Sequence, residues 1–247
     1  MDVMKLKGEE QRMRIPLILM FALLAACSTV PPAQDPPEVG EDVQVPQVRI
    51  GREQVENVFV VVNTVEPVAE AYCLERAPDL NCDFQIVVDE TAGAPPNAFQ
   101  TQDDTGRPVI AFTLALLAEA RNQDELAFIM SHEAAHHILG HIARQNQNAR
   151  AGAQLLGGLA YIISGGSEDS IRAGVQLGAE IGARTYSKDF ELEADALGTR
   201  IAARAGYDPL RGAEFFFRIP DPGNQFLGSH PANAARLATV QRVAMQL

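Results

Sequence analysis

The feature that most narrows what this chain can become is the run Ser131-His132-Glu133-Ala134-Ala135-His136. It lies within a stretch, 123–146, whose apolar spacing predicts a helix. Gln123, Asp124 and Glu125 fall in its first turn, where the helix dipole favours acidic side chains. Histidines at i and i+4 project from one helix face, near enough for two imidazoles to hold one tetrahedral ion. Glu133 stands one position along, so its carboxylate reaches a water on that ion without ligating it. Such a water has its pKa lowered to about 7, and a neighbouring carboxylate can take its proton as it attacks a carbonyl. A purely structural zinc would lean on cysteines, and none lies beside this run.

Two imidazoles need a third protein ligand. One class of zinc site continues the motif with Gly and then a third His, at positions held here by Leu139 and Ile142, so that class is excluded. A carboxylate from a later helix is the alternative. In Asp189–Asp195, Glu191 and Asp195 are four apart and share a face. One can ligate while the other accepts a hydrogen bond from a ligand histidine and fixes its tautomer. Glu193 points elsewhere, toward solvent. His137, about 100° round the helix from His136, reads as a packing or surface residue. The angle of His141 also takes it out of the ligand set.

The formal net charge of −12, from 32 acidic against 20 basic side chains, excludes nucleic acid as a partner and argues against electrostatic docking on anionic lipid. Attachment to a membrane must then be hydrophobic. Residues 1–26 read as a signal peptide: Arg12 and Arg14 precede a twelve-residue apolar run, Ile15–Ala26, too short to span a bilayer. The run ends in Leu24-Ala25-Ala26-Cys27, similar to the lipobox of bacterial lipoproteins, which implies acylation of Cys27. Ser28 after it implies sorting to the outer membrane. Residues 27–48 carry five prolines among acidic and small residues and read as a disordered tether from Cys27. Cys73 and Cys82, with eight mostly polar residues between them, are expected to form a disulfide in an oxidising periplasm.

Residues 49–247 read as one domain. Val55, Val58, Phe59, Val62 and Val65 predict an amphipathic helix over 50–75, with Pro67 as a point for a kink. Residues 84–88 and 108–113 read as strands, with 97–101 as an edge segment, and 114–121 as a further helix. Within 149–186, an apolar run ends at Ser164-Gly165-Gly166-Ser167, and Gly174, Gly178 and Gly182 recur every four residues. This predicts a helical hairpin with closely packed arms, either settled on its own domain or touching the membrane or a partner.

Taken together, His132-Glu-Ala-Ala-His136 and Glu191-x-x-Ala-Asp195 resemble the metallopeptidase family of the CAAX prenyl proteases and HtpX, and most of all its soluble periplasmic members. The likeness covers roughly 50–247. It includes Pro96-Asn97-Ala98-Phe99, Asp124-Glu-Leu126, Tyr186-Ser187, Ala205-Gly-Tyr-Asp-Pro209, and Ser229-His230-Pro231 with Arg236. Lys188 and Thr113-Leu114 depart from the usual residues at their positions. The resemblance implies a zincin-like α+β domain, helix-dominated with a small sheet, holding one Zn2+ through His132, His136 and Glu191. Glu133 would be the general base and Asp195 the partner of a ligand. Asn97, Ala98, Phe99 and Gln100 would bind substrate as an added strand. His230 and Arg236 would face the site, stabilising the oxyanion or capping the metal. Expected substrates are unfolded or misassembled envelope polypeptides. The rival expectation is a metal-bound chaperone or assembly factor for outer-membrane proteins, which would have no need of Glu133.

Overall fold

A computed structural model describes residues 48–185, 187–218 and 232–247. The signal peptide, Cys27 and nearly all of the tether therefore lie outside the described residues, as do Tyr186 and His230.

The first helix, α1 (Arg52–Arg76), runs unbroken through Pro67. Its buried line is Val61, Val65, Ala69 and Cys73, spaced by four. Val58 and Val62 flank that line, whereas Val55 and Phe59 are exposed. The apolar face thus sits further round, and further toward the C-terminus, than the valine spacing suggests. Cys73 is bonded to Cys82, with Cα atoms 5.6 Å apart, so the end of α1 is tied to the entry of the first strand.

Three strands follow: β1 (Gln85–Asp89), β2 (Ala98–Gln102) and β3 (Pro108–Thr113). The order is β1-β3-β2, with β1 parallel and β2 antiparallel to β3. Residues 108–113 are almost wholly buried, as suits a central strand of β-branched and apolar residues. Asp103 closes the β2–β3 turn, its side chain accepting from the amides of Thr105 and Arg107. Thr113 ends β3 and caps α2 (Leu114–Glu119), accepting from Leu116 N.

The centre of the domain is α3 (Gln123–Ile138). Asn122 caps it by accepting from Glu125 N at 3.0 Å. From Glu125 to Ile138 every residue but His136 is buried. α3 packs against α1 on one side and α6 (Ser187–Arg204) on another. Met130, Ile201, Val65 and Ile110 are fully buried, each contributing on the order of 1.5–3 kcal/mol relative to exposure.

The helix expected over 123–146 is in fact two. Gly140 adopts φ +65°, a left-handed conformation that suits glycine, and α3 ends there. α4 (His141–Ser164) starts on a new axis, and α5 (Glu168–Arg184) returns antiparallel to it. This hairpin begins at His141, earlier than the apolar run indicates. Its glycine stripe faces inward: a Cβ on Gly178 would lie 2.1 Å from Gly152 O, and one on Gly182 would lie 2.2 Å from Asn148 O. No helix among the described residues is long and apolar enough to cross a membrane. The chain continues through α7 (Pro209–Gly212), a 3-10 turn (Ala213–Phe217) and α8 (Asn233–Ala244), which packs on α6.

Candidate metal centre

The site forms where α3 and α6 come close. A Cβ on Gly198 would stand 3.0 Å from the backbone of His132, so the absent side chain lets the two helices approach without crowding. It sets Glu191 and Asp195 of α6 opposite the histidines of α3. His132 Nε2 and His136 Nε2 are 3.0 Å apart. Glu191 places Oε2 at 3.5 Å from the first and Oε1 at 3.4 Å from the second. Nitrogen and oxygen ligands about 2.0–2.2 Å from a tetrahedral zinc are separated by roughly 3.3 Å. The two carboxylate oxygens of Glu191 each face one imidazole, and one donor atom from each of the three residues lies within 4.8 Å of the other two, so the three side chains could hold one such ion.

The partners behind these donors fix how they point. His132 Nδ1 is 2.9 Å from Asp195 Oδ1, which leaves Nε2 to face Glu191. Asp195 is fully buried and is gripped by Arg236 of α8 through Nε (2.8 Å) and Nη2 (2.7 Å). Arg236 also lies over the Phe216 ring. Two of its nitrogens are thus committed to Asp195, and it stands behind the ligands as well as lining the cleft.

Burial opposes charge on His132, but hydrogen bonds to Asp195 and Glu191 outweigh it and push its pKa up to about 10. Burial, then the neighbouring His132 charge, holds His136 down to about 3. One positive charge is what this anionic pocket stabilises, and a second on the adjacent ring is resisted. Burial also raises Glu133, against the pull of His132, and the Gln100 backbone amide opposes that rise too. A carboxylate whose pKa is raised toward neutrality is a better proton acceptor and donor in turn.

Beside Glu133 runs β2. Thr113 N bonds Asn97 O, and Asp103 N bonds Arg107 O, so the odd-numbered residues of this pair face β3. By the alternation of an antiparallel ladder, Ala98 and Gln100 turn their backbone groups to the open edge. A cleft of about 550 Å³ joins this edge to the donors. It is lined by Ala98, Phe99, Gln100, His132, Glu133 and Glu191, among others, with Phe128, Phe190 and Phe216 supplying apolar wall.

One expectation needs correction. Glu193 does not simply meet solvent: its Oε2 is 3.1 Å from His141 Nε2, and Arg144 binds both its oxygens. His141 is not a ligand, but it is far from idle, with Nδ1 2.8 Å from His136 Nδ1. On one continuous helix His141 would lie well away from His136. The break at Gly140 swings His141 back onto His136, and a glycine in a helical run was the signal for it. His137 is a packing residue, edge-on to Phe84 and bonded to Asn81 O.

The helix-dominated α+β domain thus carries a paired-histidine, carboxylate cluster that could hold one metal ion, beside an open strand edge. The chain belongs to peptidase family M48, whose model matches residues 61–244. It is 28% identical over 145 residues to the beta-barrel assembly-enhancing protease of Escherichia coli, covering 54% of this chain and 30% of that one. It is 32% identical over 118 residues to a putative beta-barrel assembly-enhancing protease of Vibrio cholerae, covering 45% and 24%. To the mitochondrial metalloendopeptidase OMA1 of Saccharomyces cerevisiae it is 25% identical over 201 residues, covering 76% and 54%. The chain thus matches under a third of the length of the two bacterial relatives and about half of the yeast one.

Proposed function

We propose that this protein is a zinc metalloendopeptidase, anchored by acylated Cys27 at the periplasmic face of a bacterial outer membrane. It would cleave unfolded or misassembled envelope polypeptides. The observation that carries the reading is the 3.0–3.5 Å spacing of the donors on His132, His136 and Glu191, which suits one zinc ion. When bound, the ion supplies Lewis acidity for attack of water on a peptide carbonyl.

The remaining chemistry belongs to side chains. The backbone of Ala98 and Gln100 holds the substrate as an added strand, with Asn97 and Phe99 completing the segment. Main-chain bonding reads extended backbone and reads side chains weakly, which suits unfolded substrates. Glu133 takes the proton of the attacking water and delivers it to the leaving amine nitrogen. Asp195 keeps His132 oriented, and Arg236 holds Asp195. His230 is assigned to the oxyanion or to a resting-state cap on the strength of the family motif alone. Exposed Leu155, Leu159, Ile162 and Ile163 on the hairpin support its contact with lipid or an apolar partner.

The test is Glu133→Gln. Cleavage of an unfolded substrate such as casein is expected to fall by at least roughly 10²–10⁴-fold while bound zinc stays at one per chain. Undiminished cleavage would refute the base assignment. Full rescue of an envelope-assembly defect by that inactive variant would instead favour the chaperone reading.

A further inference from the structure

We propose that His141 and Glu193 form a hydrogen-bond relay that supports His136 in the tautomer able to bind metal, making both residues positioning groups for the zinc site. The inference deepens the metal-site reading and rests on it. Its basis is a continuous chain of contacts: His136 Nδ1 to His141 Nδ1 at 2.8 Å, and His141 Nε2 to Glu193 Oε2 at 3.1 Å. Arg144 Nη1 then donates to the same carboxylate oxygen at 2.6 Å. His141 is buried and stacked on Phe190 with ring centroids 4.7 Å apart, so its ring has little freedom to turn.

The hydrogens along this chain can be assigned from one end. A carboxylate carrying two guanidinium contacts only accepts, so His141 Nε2 must carry a hydrogen. The two facing Nδ1 atoms then share one hydrogen. If it sat on His141, that ring would be cationic, and neutral His136 would carry its own hydrogen on Nε2, the atom that faces Glu191. That arrangement cannot ligate. With the hydrogen on His136 Nδ1, His141 is neutral and His136 Nε2 presents a bare lone pair to the site. Of the two arrangements these contacts allow, only the one with neutral His141 is compatible with His136 as a ligand, so metal binding and the relay support each other.

The two metal histidines are backed in parallel ways. His132 meets Asp195, which is held by Arg236; His136 meets Glu193 through an inserted imidazole, and Glu193 is held by Arg144. α6 supplies the ligand and both backing carboxylates, at Glu191, Glu193 and Asp195.

The experiment measures zinc affinity of the full chain by competition with a chromogenic chelator, and the visible absorption of the cobalt-substituted protein. Variants are Glu193→Ala, Glu193→Gln and His141→Phe, the last keeping the stack on Phe190. Glu193→Ala and His141→Phe are expected to weaken zinc binding roughly 10–100-fold and to shift the cobalt bands. Glu193→Gln, whose amide oxygen still accepts from His141, should stay within about threefold of wild type. Zinc binding by wild type with Glu193→Ala and His141→Phe unchanged to within about twofold would overturn the relay alone. Failure of Gln to recover what Ala loses would overturn it too, since charge and not the hydrogen bond would then be the cause. If wild type binds no zinc, the metal-site reading falls and the relay with it.

Discussion

Three carboxylates, Glu133, Glu191 and Asp195, are buried within the electrostatic reach of one guanidinium, that of Arg236. Without metal, protonation of His132 partly offsets this negative charge; a divalent cation held by His132, His136 and Glu191 would take over that role. Away from the site, Glu66 shows a milder form of the same tension. Partial burial, then the charges of Glu70 and Asp83, raise its pKa above the ordinary glutamate value, with Arg107 only partly compensating. A carboxyl whose folded-state pKa is raised costs stability when ionised. The cost sets in as pH rises through the unfolded value near 4.5 and is complete above the folded one. Glu66→Gln is therefore expected to raise the thermal midpoint at pH 7 and to leave it unchanged relative to wild type at pH 4. Equal midpoints at pH 7 would contradict the charge argument.

Between elements, glycine decides how close backbones come. Gly178 and Gly182 let α5 touch the backbone of α4, and Gly198 lets α6 reach α3. In the hairpin, Gly178→Ala forces a Cβ to 2.1 Å from a carbonyl oxygen and should cost about 1–3 kcal/mol, lowering the midpoint by several degrees. Gly158→Ala lies in α4 with nothing within 4 Å, and is expected to be neutral or to stabilise by up to about 1 kcal/mol. Paired melting curves check this, and equal effects would mean that packing is not what the stripe provides. The same scale explains what could be read in the sequence. The i, i+4 histidines, the later carboxylates and the central strand 108–113 each follow a local period, so they were legible. The relay was not, because it depends on where the helix stops. A single left-handed residue, Gly140, turned an apparent helix over 123–146 into two and brought His141 onto His136. The first helix was legible too: α1 runs through Pro67 over nearly the span that the valine spacing predicts.

Over the whole molecule, stability and metal binding are linked. A ligand bound only by the folded state adds RT ln(1 + [L]/Kd), about 4 kcal/mol at a thousandfold excess over Kd. Removing metal with a chelator is expected to lower the midpoint by several degrees and to abolish peptidase activity, both restored by adding zinc. The Cys73–Cys82 link closes a short loop, and its reduction should cost a further amount on the order of 2–3 kcal/mol. Denaturant titration with and without reductant measures that loss, which should be independent of metal because the link ties α1 to β1 and not the ligands to one another. The most direct test of the account is an anomalous difference map collected at the zinc absorption edge from crystals of the zinc-loaded protein. One peak is expected, about 2.0–2.2 Å from His132 Nε2, His136 Nε2 and a Glu191 carboxylate oxygen. A peak elsewhere, or one whose ligands leave Glu191 out, would contradict it.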